Sequence, residues 1–206
     1  MSTHRLSGIG LSATLVFLSG LAHVTLAEDA ASPEPSITAE VEEAVSTADD
    51  ESLDAVLTLA ARPGPAPAVT EGIPHIQLDQ TSGPEAMEAL TTWSFSLPSI
   101  VEEPSRASLP GALALTLAAD LEANTDAMIV GREFAHIHGN PGTGSLHLRL
   151  PEDEAGIVID AGWGVWHPFA LDGSMPGLIM VFAPRDAQDL ETIKSIVSAS
   201  VEYAGG

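Results

Sequence analysis

The chain has 206 residues, a formal net charge of −22 at pH 7, no cysteine and a single lysine, Lys194. Nucleic acid and anionic lipid are excluded as partners, because phosphate binding needs clustered Lys or Arg. Without Cys there is neither a disulfide framework nor a lipid-modified N-terminal thiol, so an ordinary apolar core must hold the fold.

Met1 to Ala27 reads as an export signal: Arg5 is the basic end, Ile9 to Leu21 the apolar middle, and Thr25-Leu26-Ala27 the small-residue cleavage site. The apolar run is short and interrupted by Ser and Gly, which argues against a membrane span. A periplasmic or secreted protein with no stable membrane insertion after cleavage is expected. Residues 28–70 form an acidic, Ala/Pro-rich arm and linker, in which Arg62-Pro-Gly-Pro-Ala-Pro-Ala reads as extended chain because repeated Pro fixes φ and removes donors. Residues 71–206 make one domain of ordinary size.

Within that domain, Ser82-Gly-Pro-Glu opens a helix with Met87, Leu90 and Trp93 on one stripe. Ser105 to Gly111 is a turn, and Ala112 to Ala118 a strand. Glu133 to Leu150 reads as two alternating arms joined by a Gly/Pro/Asn loop. Pairing His136 with His147 sets Ala135 opposite Leu148 and Ile137 opposite Leu146 on one face. Phe134, His136, His138, Ser145, His147 and Arg149 then share the other, since side chains alternate along a strand. Glu133 points to the opposite face unless a bulge intervenes. Pro151-Glu-Asp-Glu starts a helix ending at Gly162, and Trp163-Gly-Val-Trp-His-Pro is an irregular connection. Leu178 to Ala183 is a strand buried on both faces. Asp186 caps a C-terminal helix that buries Leu190, Ile193, Ile196 and Val197. The fold class is α+β: a small, mainly antiparallel sheet with helices packed on one face, which leaves the imidazole face open.

That face carries the chemistry. His136, His138 and His147 suit a divalent metal such as Fe, Cu or Zn, with His167 a fourth ligand if its turn folds over the sheet. No certain cofactor follows, because the same imidazoles serve equally as a general base near neutral pH. Arg149 and Arg185 can hold a developing enolate; each reads equally as a partner of neighbouring residues. Phe134, Trp163 and Trp166 can stack on a planar small-molecule ligand, or simply complete a core. His75, in a Pro-flanked loop, is expected to be exposed and idle. No nucleophile elbow, phosphate loop or dinucleotide fingerprint is present.

The blocks Ser105-Arg-Ala-Ser-Leu-Pro-Gly, Glu133-Phe-Ala-His-Ile-His, Gly144-Ser-Leu-His-Leu-Arg-Leu-Pro, Gly162-Trp-Gly-Val-Trp-His-Pro and Ala183-Pro-Arg-Asp occur in this order. In them the chain resembles the luciferase-domain family, whose best-known members are fungal luciferases. The resemblance implies an oxygenase that uses O2 as co-substrate on a small enol, phenol or pyrone, without an added cofactor. The alternative is a non-catalytic envelope module that binds a metal or a small apolar ligand through the same histidines.

Overall fold

A computed structural model describes residues 57–139 and 143–205. The expected export signal and the arm up to residue 56 lie outside them. Along the chain come α1 (Pro84–Ser94), β1 (Ile100–Pro104), β2 (Leu113–Leu117), a 3-10 turn (Thr125–Ala127), β3 (Glu133–Ile137) and β4 (Leu146–Arg149). They are followed by α2 (Glu152–Asp160), β5 (Gly164–Trp166), α3 (Pro168–Leu171), β6 (Leu178–Val181) and α4 (Ala187–Ala204). The strands form one six-stranded sheet in the order β1-β2-β3-β4-β6-β5, with every neighbouring pair antiparallel. The α+β class is as expected.

One face of the sheet holds the main core. Ala135, Ile137, Leu146 and Leu148 pack with Leu190, Ile193, Ile196 and Val197 of α4, and α1 adds Leu90. Fully burying each such aliphatic side chain contributes about 1.5–3 kcal/mol. α4 starts where Asp186 Oδ1 accepts the Gln188 and Asp189 N–H groups at 2.9 Å each, and it stops at Gly205 with φ +101°. That φ is left-handed backbone, which glycine adopts without steric cost. α2 has Pro151 before it and three acids in its first turn, which complement the helix dipole. No helix among the described residues is long and apolar enough to cross a membrane.

Three features differ from expectation. The Trp163–Pro168 stretch is not wholly irregular: Gly164–Trp166 pairs with β6 as an edge strand. It was hidden because three residues are too few to show a period. β1 and α3 carry no clear pattern either, β1 because four of its five residues are exposed.

The third difference concerns the imidazole face, which is not open. It is covered by the segment around Ile73–Gln77 and the turn around Ala107–Ala112, with Phe169 of the short α3 at the edge. Thr70 and Ile76 hydrogen-bond each other through backbone and hydroxyl, and Gln77 Oε1 accepts the Ala183 N–H at 2.9 Å, which ties the strap to the end of β6. The stretch before it is also held: Arg62 N donates to Ala161 O at 2.8 Å, and Trp163 Nε1 donates to Ala60 O at 2.7 Å.

Candidate functional site: a buried histidine cluster

The β3–β4 ladder has the expected register, with His136 opposite His147, Ala135 opposite Leu148 and Ile137 opposite Leu146. On the other side of β3 the register shifts. Leu115 pairs with Ala135 but Thr116 pairs with Glu133, so Phe134 is an extra residue on β3. A bulge of this kind reverses the alternation beyond it. Phe134 therefore enters the main core, fully buried, and Glu133 turns to the histidine side. Glu133 Oε1 lies 2.9 Å from His136 Nδ1.

Five imidazoles meet on this face: His75, His136, His138, His147 and His167, each 2–6 % exposed. His147 sits at the centre. Its Nδ1 is 3.0 Å from His136 Nε2, and its Nε2 is 3.3 Å from His75 Nδ1. Its ring meets those of His138 and His167 edge-on, with centroids 4.7 Å away in both cases. His138 Nδ1 is 3.0 Å from Ser145 Oγ. His167 is the N-cap of α3, its Nδ1 accepting the Phe169 N–H at 3.1 Å.

These contacts fix the tautomers. Glu133 is held as a carboxylate, since Ser105 Oγ donates to Oε1 at 2.6 Å and Arg106 N to Oε2 at 2.9 Å. Its pKa stays below the usual range despite burial, because these donors and His136 favour the charged form. His136 must then donate through Nδ1, so in the neutral ring Nε2 keeps its lone pair. His167 Nδ1 accepts a hydrogen bond, so in the neutral ring the proton is on Nε2. Burial, with mutual repulsion among the rings, lowers His138 and His167 to about 4 and His147 well below its ordinary value; burial also lowers His75. At neutral pH these four rings are uncharged.

His75 corrects the expectation of an exposed, idle side chain. No local pattern marks it, because its partner His147 is 72 residues away along the chain. Glu133 also joins the site, and only the bulge brings it there. His136, His138, His147 and His167 are assembled as a group. The other candidates are not brought to it. Arg149 donates to Met128 O at 3.3 Å and feels Asp126 and Tyr203 rather than the histidines. Arg185 forms a two-bond pair with Asp189 and donates to Pro63 O, which staples the arm to α4. Phe134 and Trp163 are buried in the core cluster, and Trp166 packs against it.

Two small clefts reach the cluster. One, of about 250 Å³, is lined by Ile73, His75, Leu109, His138, His167 and Phe169, among others. The second, about 140 Å³, shares Ile76, Leu109 and His138 with the first. Ile73, Leu109 and Phe169 are partly exposed at the rim. The opening therefore has apolar walls, no lining Lys or Arg, and imidazoles at its base, a combination that suits a small, largely apolar molecule.

Residues 131–200 match the family described as Luciferase domain. Luciferases of Armillaria gallica, Armillaria mellea and Neonothopanus nambi are each 36% identical to the chain over 76 residues, covering 35% of this chain and 28% of theirs. The chain thus spans little more than a quarter of the length of these curated relatives. No solved structure matches it. His136, His138, His147 and His167 fall inside the matched segment and His75 outside it. Over residues 131–200 the chain is similar to the luciferase domain that these fungal proteins carry.

Proposed function

We propose that the cluster is the catalytic centre of an O2-dependent oxygenase acting on a small enol, phenol or pyrone. The observation that carries this reading is the unbroken chain Glu133–His136–His147–His75, which ends at the apolar cleft. With Glu133 ionised, each ring donates through Nδ1 to the group behind it. His75 Nε2 is left with a lone pair at the cleft end. A proton taken there can be passed inward toward the carboxylate, as a base backed by an oriented acceptor requires. His167, with its proton on Nε2, is the donor for the enolate oxygen, the part expected of Arg149 or Arg185.

The step balances without another reactant. The base removes the acidic proton, the enolate carbon forms a bond to O2, carbon is oxidised and O2 is reduced to the peroxide level. The proton then returns to the terminal oxygen, so R–H and O2 give R–OOH. Support for O2 as co-substrate comes from similarity to the fungal luciferases.

The test is O2 uptake by full-length protein with a panel of hydroxylated pyrones and phenols, alongside thermal shift for binding. Uptake should fall about 10²–10⁴-fold in His75→Gln and His147→Gln, as is typical when a general base is lost. A panel that neither raises the melting temperature nor consumes O2 would remove the proposal. We place the protein outside the cytoplasm on the signal-like Met1–Ala27 stretch. N-terminal sequencing of secreted material should begin at or near Glu28, and an intact Met1 in that material would contradict it.

A further inference from the structure

We propose that His136, His138 and His147 form a three-nitrogen site for a divalent first-row transition metal ion. The proposal goes beyond the oxygenase reading and does not depend on it.

One ligand nitrogen from each of these three rings lies within 4.8 Å of the others. His136 Nε2 and His147 Nδ1 are 3.0 Å apart. Two imidazole nitrogens on one tetrahedral zinc, with Zn–N bonds of about 2.0–2.1 Å, stand about 3.3 Å apart. A few tenths of an ångström of ring movement turns the one arrangement into the other.

The outer nitrogens decide between a metal site and a mere crowd of rings. A ligating histidine nearly always ties its second nitrogen to an acceptor, which fixes the tautomer and aims the ligating lone pair. Here all three do. His136 Nδ1 faces the Glu133 carboxylate, His138 Nδ1 faces Ser145 Oγ, and His147 Nε2 faces His75 Nδ1. Glu133 is itself braced by Ser105 and Arg106, and Ser145 by the Thr143 hydroxyl at 2.9 Å. The carboxylate supplies one negative charge beside the ion.

A second trio, His75, His147 and His167, is equally close-set. It is the poorer site, because capping α3 places the proton of His167 on Nε2, the nitrogen that would have to ligate. His138 lines both clefts, so the ion's remaining position opens toward them. Three protein ligands and one open position are the pattern of a catalytic rather than a structural ion. The ion would replace the proton shared by His136 and His147, and a water bound to it would ionise near neutral pH.

The experiment uses full-length protein made without a polyhistidine tag and stripped with chelator. Co2+ and Zn2+ are added separately and followed by calorimetry, and Co2+ also by its visible absorption. One equivalent of Co2+ should bind with the intense spectrum of a four-coordinate nitrogen-rich site and be displaced by Zn2+. His136→Gln and His147→Gln should abolish that spectrum. Glu133→Gln and Ser145→Ala, which keep every ligand, should weaken binding about 10–100-fold. These two variants also carry the test if a ligand substitution fails to fold, as judged by circular dichroism. Failure of both ions to bind at micromolar concentration would overturn the site, and so would binding that none of the four substitutions alters. Metal binding with no O2 uptake by the stripped protein would remove the oxygenase alone; O2 uptake by stripped protein that binds no metal would remove the ion alone.

Discussion

Lowering the pH from 7.5 to 5.5 should destabilise the metal-free protein through its buried imidazoles. His138 and His167 are lowered to about 4 by burial and by the neighbouring rings, against an ordinary value near 6.5. The unfolded chain therefore binds more protons than the folded one between those values. Stability is full above about pH 6.5 and drains as pH falls toward about 4. At pH 5.5 a ring with these two values has lost about 1.4 kcal/mol of its contribution. His138 should approach that figure, while His167, reached by solvent through the cleft, should give roughly 1 kcal/mol or less. His75 and His147 are shifted the same way and add to it. Glu133, lowered, stays ionised across the window and contributes no slope there. Against a total of about 5–15 kcal/mol, a drop of roughly 2 kcal/mol is large. The assay is urea unfolding followed by tryptophan fluorescence in chelator at half-unit pH steps. With a slope of about 2 kcal/mol per molar urea, the midpoint should fall by roughly 1 M. His138→Gln should flatten part of the profile. A midpoint that does not move between pH 7.5 and 5.5 would refute the reasoning, because it would mean that the rings are solvated or already charged in the folded state.

Leu148→Ala, at a fully buried position of the main core, should cost about 2–5 kcal/mol by the same denaturant assay and leave the spectrum of bound Co2+ in place. Gly164→Ala puts a methyl carbon 2.5 Å from Met180 O on the facing strand. Backbone meets backbone there, so β5 must move off β6, and the melting temperature should fall by the equivalent of about 1–3 kcal/mol. Asp189→Ala removes three hydrogen bonds from Arg185, those of its backbone N, Nε and Nη2, while Nη1 holds Pro63 O. It should lower stability by about 1–3 kcal/mol and speed proteolytic cutting near residues 62–68; cutting at the unmodified rate would show that the staple is not what restrains the arm.

What could be read in the sequence was whatever two periods can encode. Alternation in Ala135–Ile137 and Leu146–Leu148 gave the hairpin register, and the 3.6-residue stripe of Leu190, Ile193 and Val197 gave α4. Asp186 announced its own helix start. The short edge strand Gly164–Trp166 and the exposed β1 carry too few buried residues to show a period. Phe134 and Glu133 exchanged faces because a single inserted residue in a ladder has no signature in residue types alone. His75 was beyond reach for a different reason: it acts through tertiary contact, and nothing in Ile73-Pro74-His75-Ile76 distinguishes a strap from a solvated loop. Arg149 and Arg185 illustrate the converse. Their chemistry suits an anion, but each guanidinium is engaged by nearby backbone or carboxylate groups that sequence spacing does not rank above a substrate.

The placement of the cluster within the sheet bears on how its two halves can behave. His136 and His147 are directly paired residues of central strands, flanked by Ala114 on β2 and Met180 on β6. Their backbone separation is thus set by ladder hydrogen bonds on both sides and cannot change without opening the sheet, which leaves only small ring adjustments. An ion arriving there pays little to organise these two ligands, and His138, one residue past β3 and hydrogen-bonded to Ser145, needs only a ring adjustment. His75 and His167 come from the strap and from the start of a four-residue helix, segments outside the ladder. His75 can shift with the strap while His136 and His147 stay in register; His167 is tied to β6 through its N–H on Leu178 O at 3.2 Å. Ion binding should therefore tolerate changes in the strap, such as Ile73→Ala, that disturb binding of the small ligand. A strap substitution that weakens Co2+ and ligand binding equally would mean that the two halves are one rigid unit after all.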